Sequence, residues 1–359
     1  MIDKILQPKN LTKAYYKVVA NGGSAGVDKM GLGGLRSYID MHRTSVCTSI
    51  LNCSYIPSPI RGVEIPKSNG KKRLLGIPTV IDRWLQQALS QQLMPLYECE
   101  FSDRSYGFRP KKNLQQAAQQ SLKYINDGYQ DIVDIDLKGF FDEVSHVRLL
   151  QMLYDKVRCR TTMRLIRKWL RSPILIRGKL RRRRKGVPQG SPLSPLLSNI
   201  LLDRLDKELE RQGLNYVRYA DDFSIYTKSK SEAREVGNKI YLFLRDKLEL
   251  PINREKSGIR RPSSFKLLGY GFVPTYKKGE QGKYQFVVKK SSWHAFKRKL
   301  KHITKKTLGY KLEHRLSQLK LVWQGWLNNY RIANIYTKLK KLDEWLRNRL
   351  RYCVWHDYD

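Results

Sequence analysis

Apolar and acidic residues alternate near the middle of the chain. Val133, Ile135 and Leu137 fall on one side of this stretch, and Asp134 and Asp136 fall on the other. Because successive side chains of a strand point to opposite faces, the pattern predicts a half-buried β-strand over residues 131–137. Its polar face would present carboxylates.

A second acidic pattern lies about 80 residues further on. Apolar and aromatic residues flank the adjacent pair Asp221 and Asp222, which predicts a strand, a tight turn and a second strand over residues 215–226. Two like charges at the tip of a hairpin repel each other unless a cation is present, and a divalent metal is the usual solution. From this segment alone, an ordinary acidic turn is an equal alternative.

Other periodic segments predict the rest of the fold. Residues 61–78 indicate two short strands around a basic turn, followed by a helix. Ser194 is a candidate N-cap, with Pro195 at the first helical position. The leucine-rich stripe that follows predicts a helix that stops at Gly213. After residue 289, three amphipathic stripes predict a small helical bundle with a basic outer face.

Charge narrows the class of partner. The chain has 359 residues with 70 Lys and Arg against 32 Asp and Glu, so its formal net charge is 70 − 32 = +38. A surplus this large favours a polyanionic partner, and we expect nucleic acid bound in a salt-dependent way. The five cysteines are dispersed, which argues against disulfides or a zinc site. The sequence has no apolar run of membrane-spanning length and no signal peptide, so an intracellular protein is expected.

The two acidic segments together predict a catalytic centre. If the strand and the hairpin are neighbours, Asp136, Asp221 and Asp222 converge. Three carboxylates are a ligand set for two-metal phosphoryl transfer, and their hard oxygen atoms favour two Mg²⁺ ions. Taken alone, Asp136 could equally belong to a solvated strand face.

In order along the chain, the motifs resemble those of bacterial group II intron-encoded reverse transcriptases, the intron maturases. The matching segments are 63–70 (VEIPKSNG), 75–79 (LGIPT), 105–110 (SYGFRP), 134–142 (DIDLKGFFD), 186–195 (GVPQGSPLSP), 218–222 (RYADD), 253–257 (NREKS) and 267–270 (LLGY). The resemblance implies an α+β right-hand polymerase with fingers, a palm built on an antiparallel sheet, and a C-terminal α-helical thumb (the maturase X domain). The implied division is an N-terminal helical extension over 1–55, fingers and palm over 56–275, and the thumb over 276–359.

The resemblance also implies roles for residues of the centre. Asp136, Asp221 and Asp222 would hold the metal ions. Phe141 would be the steric gate that excludes a ribose 2′-hydroxyl, whereas a core role suits Phe140 better.

Further residues of the same motifs would bind the substrates. Gln189 and Gly190 would shape the nucleotide pocket, and Lys67 and Arg73 would hold the triphosphate, although neighbouring lysines of this turn fit a solvated charge run. Lys256 could protonate the leaving pyrophosphate or simply lie on the surface. Three residues resemble the primer grip: Leu268, Gly269 and Tyr270.

The implied activity is RNA-directed DNA polymerisation by a protein that binds intron RNA and assists splicing and retrotransposition. Its partners would be an RNA template, the intron RNA, a DNA primer or target, and dNTPs, at the bacterial nucleoid in the cytoplasm. A homodimer is left open. Two other readings stand beside it: a splicing maturase with an idle polymerase centre, and a host-recruited enzyme of defence or repair. No HNH-endonuclease pattern is found in the sequence, which leaves the source of the DNA primer open.

Overall fold

The acidic strand and the acidic hairpin are neighbours in one antiparallel sheet. The computed structural model describes residues 1–66, 70, 72–276 and 279–358. The strands are β1 Ile60–Pro66, β2 Lys72–Ile77, β3 Asp131–Ile135, β4 Ile174–Ile176, β5 Lys179–Arg181, β6 Asn215–Tyr219, β7 Asp222–Thr227, β8 Gly258–Arg260, β9 Lys266–Leu267, β10 Tyr270–Pro274 and β11 Tyr284–Val288. The palm sheet has the order β6-β7-β3-β8. Its register pairs Tyr219 with Asp222 and Ile135 with Phe223, so the tip of the hairpin meets the end of β3.

Helices surround the sheets. They are α1 Ile2–Leu6, α2 Pro8–Asn21, α3 Leu35–Leu51, α4 Val80–Glu98, α5 Leu114–Asn126, α6 Phe140–Glu143, α7 His146–Val157, α8 Arg160–Arg171, α9 Ser194–Arg211, α10 Lys230–Asp246, α11 Lys290–Ile303, α12 Leu312–Tyr330 and α13 Tyr336–Tyr358, with a short 3-10 helix over Leu32–Gly34. In the parts of the chain that the structure describes, no helix is long and apolar enough to cross a membrane.

Strand β3 is more deeply buried than its alternating pattern predicts. It ends at Ile135, so Asp136 is the first residue beyond the strand. Val133 faces the larger core, but Ile132, on the face that also carries Asp134, is fully buried in a second core. The prediction of a polar outer face is therefore wrong at the start of the strand, because aromatic residues next to the thumb cover it.

A mixed sheet forms the fingers, with the order β2-β1-β4-β5. Strands β1 and β2 pair antiparallel, as predicted, and β1 pairs parallel with β4. Lys67, in the basic turn between β1 and β2, lies outside the described residues. The buried carboxylate of Asp82 ties this region together, since it accepts hydrogen bonds from Tyr55 Oη and Trp169 Nε1, each at 2.8 Å. The amide of Ser58 and the hydroxyl of Thr79 also donate to it. These four donors replace the water that the carboxylate loses on burial.

The start of α9 differs from the prediction. Ser194 is the first residue of the helix and does not cap it. Its hydroxyl donates to the carbonyl of Pro188 at 2.7 Å instead, and thereby holds the preceding loop. The predicted apolar stripe of the helix is buried, from Leu197 to Leu209.

The third sheet, with the order β11-β10-β9, joins the palm to the thumb. The three predicted helices of the bundle are present as α11, α12 and α13. Of the predicted stripe on α12, Leu319 and Trp326 are buried, whereas Leu312 and Leu316 are 40% and 48% exposed. The expected domain limit at 275–276 falls within the β10–β11 hairpin. The domain limits as a whole stay predictions.

Candidate active site

A buried ion pair supports the acidic hairpin from within. Arg218 and Asp206 are both fully buried, and Arg218 Nε donates to Asp206 Oδ1 at 2.8 Å. The same guanidinium donates through Nη1 to Asn199 Oδ1 and to the carbonyl of Ala220, both at 3.0 Å. Arg218 thus connects helix α9 to the turn residue that precedes Asp221. A planar, permanently charged fork suits such a buried network.

The turn itself has an unusual backbone. Ala220 has φ of +59°, in the left-handed region that non-glycine residues seldom adopt. The segment 105–110 packs directly against it: a Cβ at Gly107 would stand 2.2 Å from the backbone nitrogen of Ala220. Tyr106 N also donates to the carbonyl of Arg218 at 2.9 Å. Only glycine permits this approach, so the position of Gly107 helps to set the position of Asp221.

The end of β3 is held by the segment 253–257. The amide of Asp136 donates to Ser257 Oγ at 3.0 Å, and the amide of Asn253 donates to the carbonyl of Asp136 at 2.8 Å. Lys256 Nζ lies 3.3 Å from the carboxylate of Asp136. The backbone of Asp136 is therefore fixed on both sides, and its charge is partly compensated.

Charge compensation differs between the acidic residues of the centre. Arg260 pairs with Asp134 at 2.8 Å. Among the residues that the structure describes, neither Asp221 nor Asp222 has an ion-pair partner within 4.0 Å. The side chain of Asp222 reaches solvent, but it sits in a recess of the protein. Desolvation first, and then the charges of Asp221 and Asp136, raise the pKa of Asp222 to about 6. Desolvation also raises the pKa of Asp221, with Asp136 acting in the same direction.

This donor set fits Mg²⁺ if the substrate completes the coordination. In the described part of the chain, no three Asp, Glu, His or Cys side chains are placed as a closed metal-ligand cluster. Mg²⁺ is usually bound by one or two carboxylates together with waters and substrate phosphates, and seldom by an all-protein cage. Electrostatically coupled carboxylates whose charge is only partly compensated are the groups that such an ion would neutralise.

Two cavities meet at the carboxylates. The fingers-side cavity has a volume of about 850 Å³ and is lined by predicted nucleotide-binding residues, namely Arg73, Phe141, Gln189 and Gly190, together with Asp221. The guanidinium of Arg73 donates to the side-chain oxygen of Gln189, which closes one wall. A Cβ at Gly190 would stand 2.7 Å from the carbonyl of Gly76, so glycine is required where these two segments cross.

The thumb-side cavity has a volume of about 580 Å³. Asp136 and Asp222 line it, as do Leu268 and Gly269 of the predicted primer grip. Lys256 also lines this cavity and not the fingers-side one, which separates it from Arg73, Phe141, Gln189 and Gly190. Tyr270 lines neither cavity. It is fully buried, and its hydroxyl donates to the carbonyl of Asn329 in the thumb.

Sequence reasoning missed several residues of this centre. Lys17, Asn21 and Gly22 from the N-terminal helical region line the fingers-side cavity, although they were predicted only as part of a helical extension. Asp206 and Asn199 were also missed, because on α9 they lie among the apolar positions and no local pattern marks them. Their one sequence signal is that a polar residue interrupts a buried stripe, which requires a buried partner.

Phe141 lines the cavity and Phe140 lies in the core, which are the positions that the sequence predicts for them. The role of Phe141 as a steric gate stays a prediction. Phe141 lies at the wall of the fingers-side cavity with 7% of its surface exposed, and Phe140 packs against it edge-on in the core with 2% exposed. The ring that faces the cavity is therefore supported from behind by a second ring.

An antiparallel palm sheet that carries carboxylates between two cavities is the architecture of a nucleotidyltransferase. A family model described as reverse transcriptase (RNA-dependent DNA polymerase) matches residues 65–272, and one described as group II intron, maturase-specific domain matches residues 293–359. Since the first match covers more than half of the chain, the chain belongs to the reverse transcriptase family, and it carries the maturase-specific domain of group II introns. The predicted family and the right-hand fold class are thereby confirmed.

Curated relatives agree with this assignment. The chain is similar to Protein YkfC of Escherichia coli, with 29% identity over 75% of this chain and 81% of that protein. It is similar to Group II intron-encoded protein LtrA of Lactococcus lactis, with 30% identity over 63% of this chain and 48% of that protein. It also resembles the Putative COX1/OXI3 intron 2 protein of Saccharomyces cerevisiae, with 27% identity over 72% of this chain. The chain spans about half of the lactococcal relative and 37% of the yeast one.

Proposed function

We propose that this chain copies RNA into DNA by adding nucleotides to a primer 3′-hydroxyl, with Asp136, Asp221 and Asp222 as ligands of two Mg²⁺ ions. The observation that carries the proposal is the position of the carboxylates between the two cavities. Asp221 lines the fingers-side cavity, whereas Asp136 and Asp222 line the thumb-side cavity. A nucleotide in the first and a primer end in the second would meet at the acidic residues.

The fingers-side cavity would take the incoming dNTP. Arg73 would release Gln189 and turn to the triphosphate, where a guanidinium offers two parallel donors to phosphate oxygens. Phe141 would lie under the deoxyribose and leave no room for a 2′-hydroxyl. When bound, the metal ions would lower the pKa of the primer hydroxyl and neutralise charge that builds up on the phosphates.

Lys256 would act on the primer side of the reaction. Its ammonium group is 3.3 Å from Asp136, in the cavity that also contains Leu268 and Gly269. A lysine held there would balance the charge of Asp136 until the metal arrives. Protonation of the leaving pyrophosphate, the role expected from sequence, would require its side chain to swing toward the fingers-side cavity.

The second part of the proposal is that the protein binds a group II intron RNA and assists its splicing and retrotransposition. The maturase-specific domain over residues 293–359 supports this partner, as does the net charge of +38. Binding should weaken steeply with salt, because each phosphate contact releases counterions. A location at the nucleoid in the bacterial cytoplasm belongs to the same proposal.

Primer extension tests the polymerase part. A DNA primer annealed to an RNA template should be extended in Mg²⁺ but not in EDTA, and the Asp136→Ala variant should show no extension while it keeps its thermal unfolding profile. Extension that persists at the wild-type rate in Asp136→Ala would refute the assignment of the centre.

RNA that co-purifies with the protein tests the partner. Sequencing should recover the flanking intron, and the Asp136→Ala variant should still promote its splicing, because RNA binding does not use the carboxylates. Splicing without any primer extension by the wild type would instead favour a maturase with an idle centre. Recovery of unrelated RNAs would favour a host-recruited enzyme.

A further inference from the structure

A half-open cavity of about 460 Å³ lies behind the palm sheet, on the opposite side of β3 from the substrate cavities. Helix α10 and the segment that leads into β8 form its walls. Its volume is within the range of small-molecule sites, which are about 300–1,000 Å³. Its floor is apolar, formed by Val133, Ile135, Ile252 and Ile259. We call it the rear cavity.

The rim of the rear cavity is cationic. Arg234 and Arg254 both line it, and none of the described residues that line it is acidic. Tyr241 orients Arg254: Arg254 Nη2 donates to Tyr241 Oη at 3.0 Å, and the guanidinium carbon lies 5.6 Å from the centre of the ring. An exposed arginine held in this way loses less freedom when it binds an anion.

A glycine provides the space. Gly237 faces β3 from α10, and a Cβ there would stand 3.5 Å from Val133 Cγ1, which is an ordinary contact. Alanine would therefore be accepted at this position, whereas a leucine side chain would project into the cavity.

From this combination we propose that the rear cavity binds a planar aromatic ring that carries one anionic group, as in a nucleoside monophosphate. The ring would cover the isoleucine floor, and the anionic group would bind Arg254 and Arg234. Neither part of the ligand alone satisfies both regions of the site. A free nucleotide and an unpaired nucleotide of bound RNA share this chemistry.

The site is mechanically connected to the catalytic strand. Ile252 and Ser257 line the cavity and flank the segment that holds both backbone groups of Asp136. A ligand that moves this segment would move Asp136. We therefore expect occupancy to change the turnover rate of primer extension, an effect that rests on the polymerase function proposed above.

Methyl NMR tests the site without any need for activity. Isoleucine methyl groups of the 42.2 kDa chain are labelled, and adenosine 5′-monophosphate is titrated in EDTA. The methyls of Ile252 and Ile259 should shift and saturate, and ribose 5-phosphate, which lacks the ring, should leave them unmoved. Shifts that do not saturate, or equal shifts with ribose 5-phosphate, would overturn the proposal.

Two arginines provide a matched pair of variants. Arg254→Gln should weaken the binding of adenosine 5′-monophosphate about tenfold through loss of a charge-assisted contact. Arg245→Gln should not weaken it, because Arg245 lies 5.8 Å from the centre of the same tyrosine ring but does not line the cavity. Equal affinities of the two variants would overturn the assignment. Gly237→Leu, which fills the space, should abolish the shifts.

Competition and kinetics complete the test. An RNA with one unpaired adenosine that displaces the mononucleotide would identify RNA as the source of the ligand, and failure to displace it would identify the free nucleotide.

In primer extension, adenosine 5′-monophosphate should change kcat about fivefold or more without a change in KM for dNTP. An effect on KM alone would place the ligand in the substrate cavity and overturn the connection to Asp136. If the wild type shows no polymerisation, the proposed function fails while the NMR result still decides the site.

Discussion

Asp206 on one side of Arg218 in the chain, and Asp221 and Asp222 on the other, differ in how their charge is compensated. Asp206 is fully buried and fully compensated, since Arg218 binds both of its oxygens. Asp221 and Asp222, at the tip of the hairpin that Arg218 supports, have no ion pair among the described residues. The first group holds the turn in place, and the second leaves negative charge where the two substrate cavities meet.

The difference teaches how a fold can keep charge available for function. A buried charge without a partner is expensive, so the uncompensated pair is placed where one member still reaches solvent. The strain at Ala220 and the repulsion between the carboxylates must be balanced elsewhere, and the network of Arg218 is the nearest source. The paired carboxylates at Asp134 and Asp136 are intermediate cases.

The largest effect on activity should come from a change in a carboxylate that has no ion pair. Asp221→Asn should lower the rate of primer extension by about 10³-fold. A neutral amide binds the metal ions more weakly than a carboxylate does, and these ions stabilise the negative charge of the transition state. Asp134→Asn is the matched control: this carboxylate already pairs with Arg260, and the loss should be tenfold at most, about 1.4 kcal/mol. Steady-state extension rates measure both. Equal losses in the two variants would erase the distinction between the two kinds of carboxylate.

Removal of the compensating charge should act on stability first. Arg218→Met should lower the free energy of unfolding by about 3–5 kcal/mol, because it leaves Asp206 buried without a partner. The double variant Arg218→Met with Asp206→Leu should recover most of that loss in urea denaturation. Its activity should stay low, since the bond to the Ala220 carbonyl is still missing.

That pair of variants separates folding from positioning. A double variant that recovers both stability and extension would show that Arg218 serves only to neutralise Asp206. A double variant that recovers neither would mean that the guanidinium itself, and not the charge balance, holds α9 against the hairpin.

Phe141 tests the wall that faces Asp221. Phe141→Ala should raise incorporation of ribonucleotides relative to deoxyribonucleotides about 10- to 100-fold, since it opens the space beneath the sugar. Phe140→Leu, which alters the supporting ring, should change the ratio far less. The ratio is measured with each nucleotide in single-nucleotide extension. An unchanged ratio in Phe141→Ala would remove the gate role.

The smallest effect is a pH dependence. The folded-state pKa of Asp222, about 6, lies above its usual value, so ionisation of this group destabilises the fold. In EDTA, stability should therefore rise as the pH falls from above 6 toward 4. Asp222→Asn should lose this dependence and melt about 2–4 °C higher than the wild type at pH 7.5. Differential scanning fluorimetry measures both.

Mg²⁺ should remove the advantage in melting temperature that Asp222→Asn has over the wild type. At pH 7.5, saturating Mg²⁺ should raise the melting temperature of the wild type and not that of Asp222→Asn, because a bound ion stabilises only the state that binds it. The benefit should fade below pH 6, as protons compete for the carboxylate. A stabilisation equal in both proteins would place the ion elsewhere.

Local patterns predicted those parts of the molecule in which neighbours along the chain determine the outcome. The strand predicted over 131–137 forms over 131–135, and the hairpin predicted over 215–226 and the three thumb helices form as alternation, turn residues and helical periodicity indicate. The ordered motifs predicted the family. The motifs also named the carboxylates and four residues of the fingers-side cavity, namely Arg73, Phe141, Gln189 and Gly190. Their roles in catalysis stay predictions.

The same reasoning could not predict contacts between distant segments. Periodicity says that a face is apolar, but not what covers it, so the burial of Ile132 and the exposure of Leu312 were missed. The N-terminal wall of the fingers-side cavity and the third sheet depend on pairings between segments far apart in the chain. Lys256 was a candidate either to protonate the leaving pyrophosphate or to lie on the surface, and sequence could not show that it lines the thumb-side cavity beside Asp136.

The sequence by itself therefore determined the family, the order of the elements and the identity of the acidic residues, since these depend on composition, spacing and period. Only the tertiary structure decided which carboxylates are neutralised and which are left charged. Arg218 and Asp206 meet across a helix and a strand, whereas Asp221 and Asp222 form no ion pair within 4.0 Å in the described chain. Charge compensation depends on distance in space and on access to water, and neither is written in the order of residues.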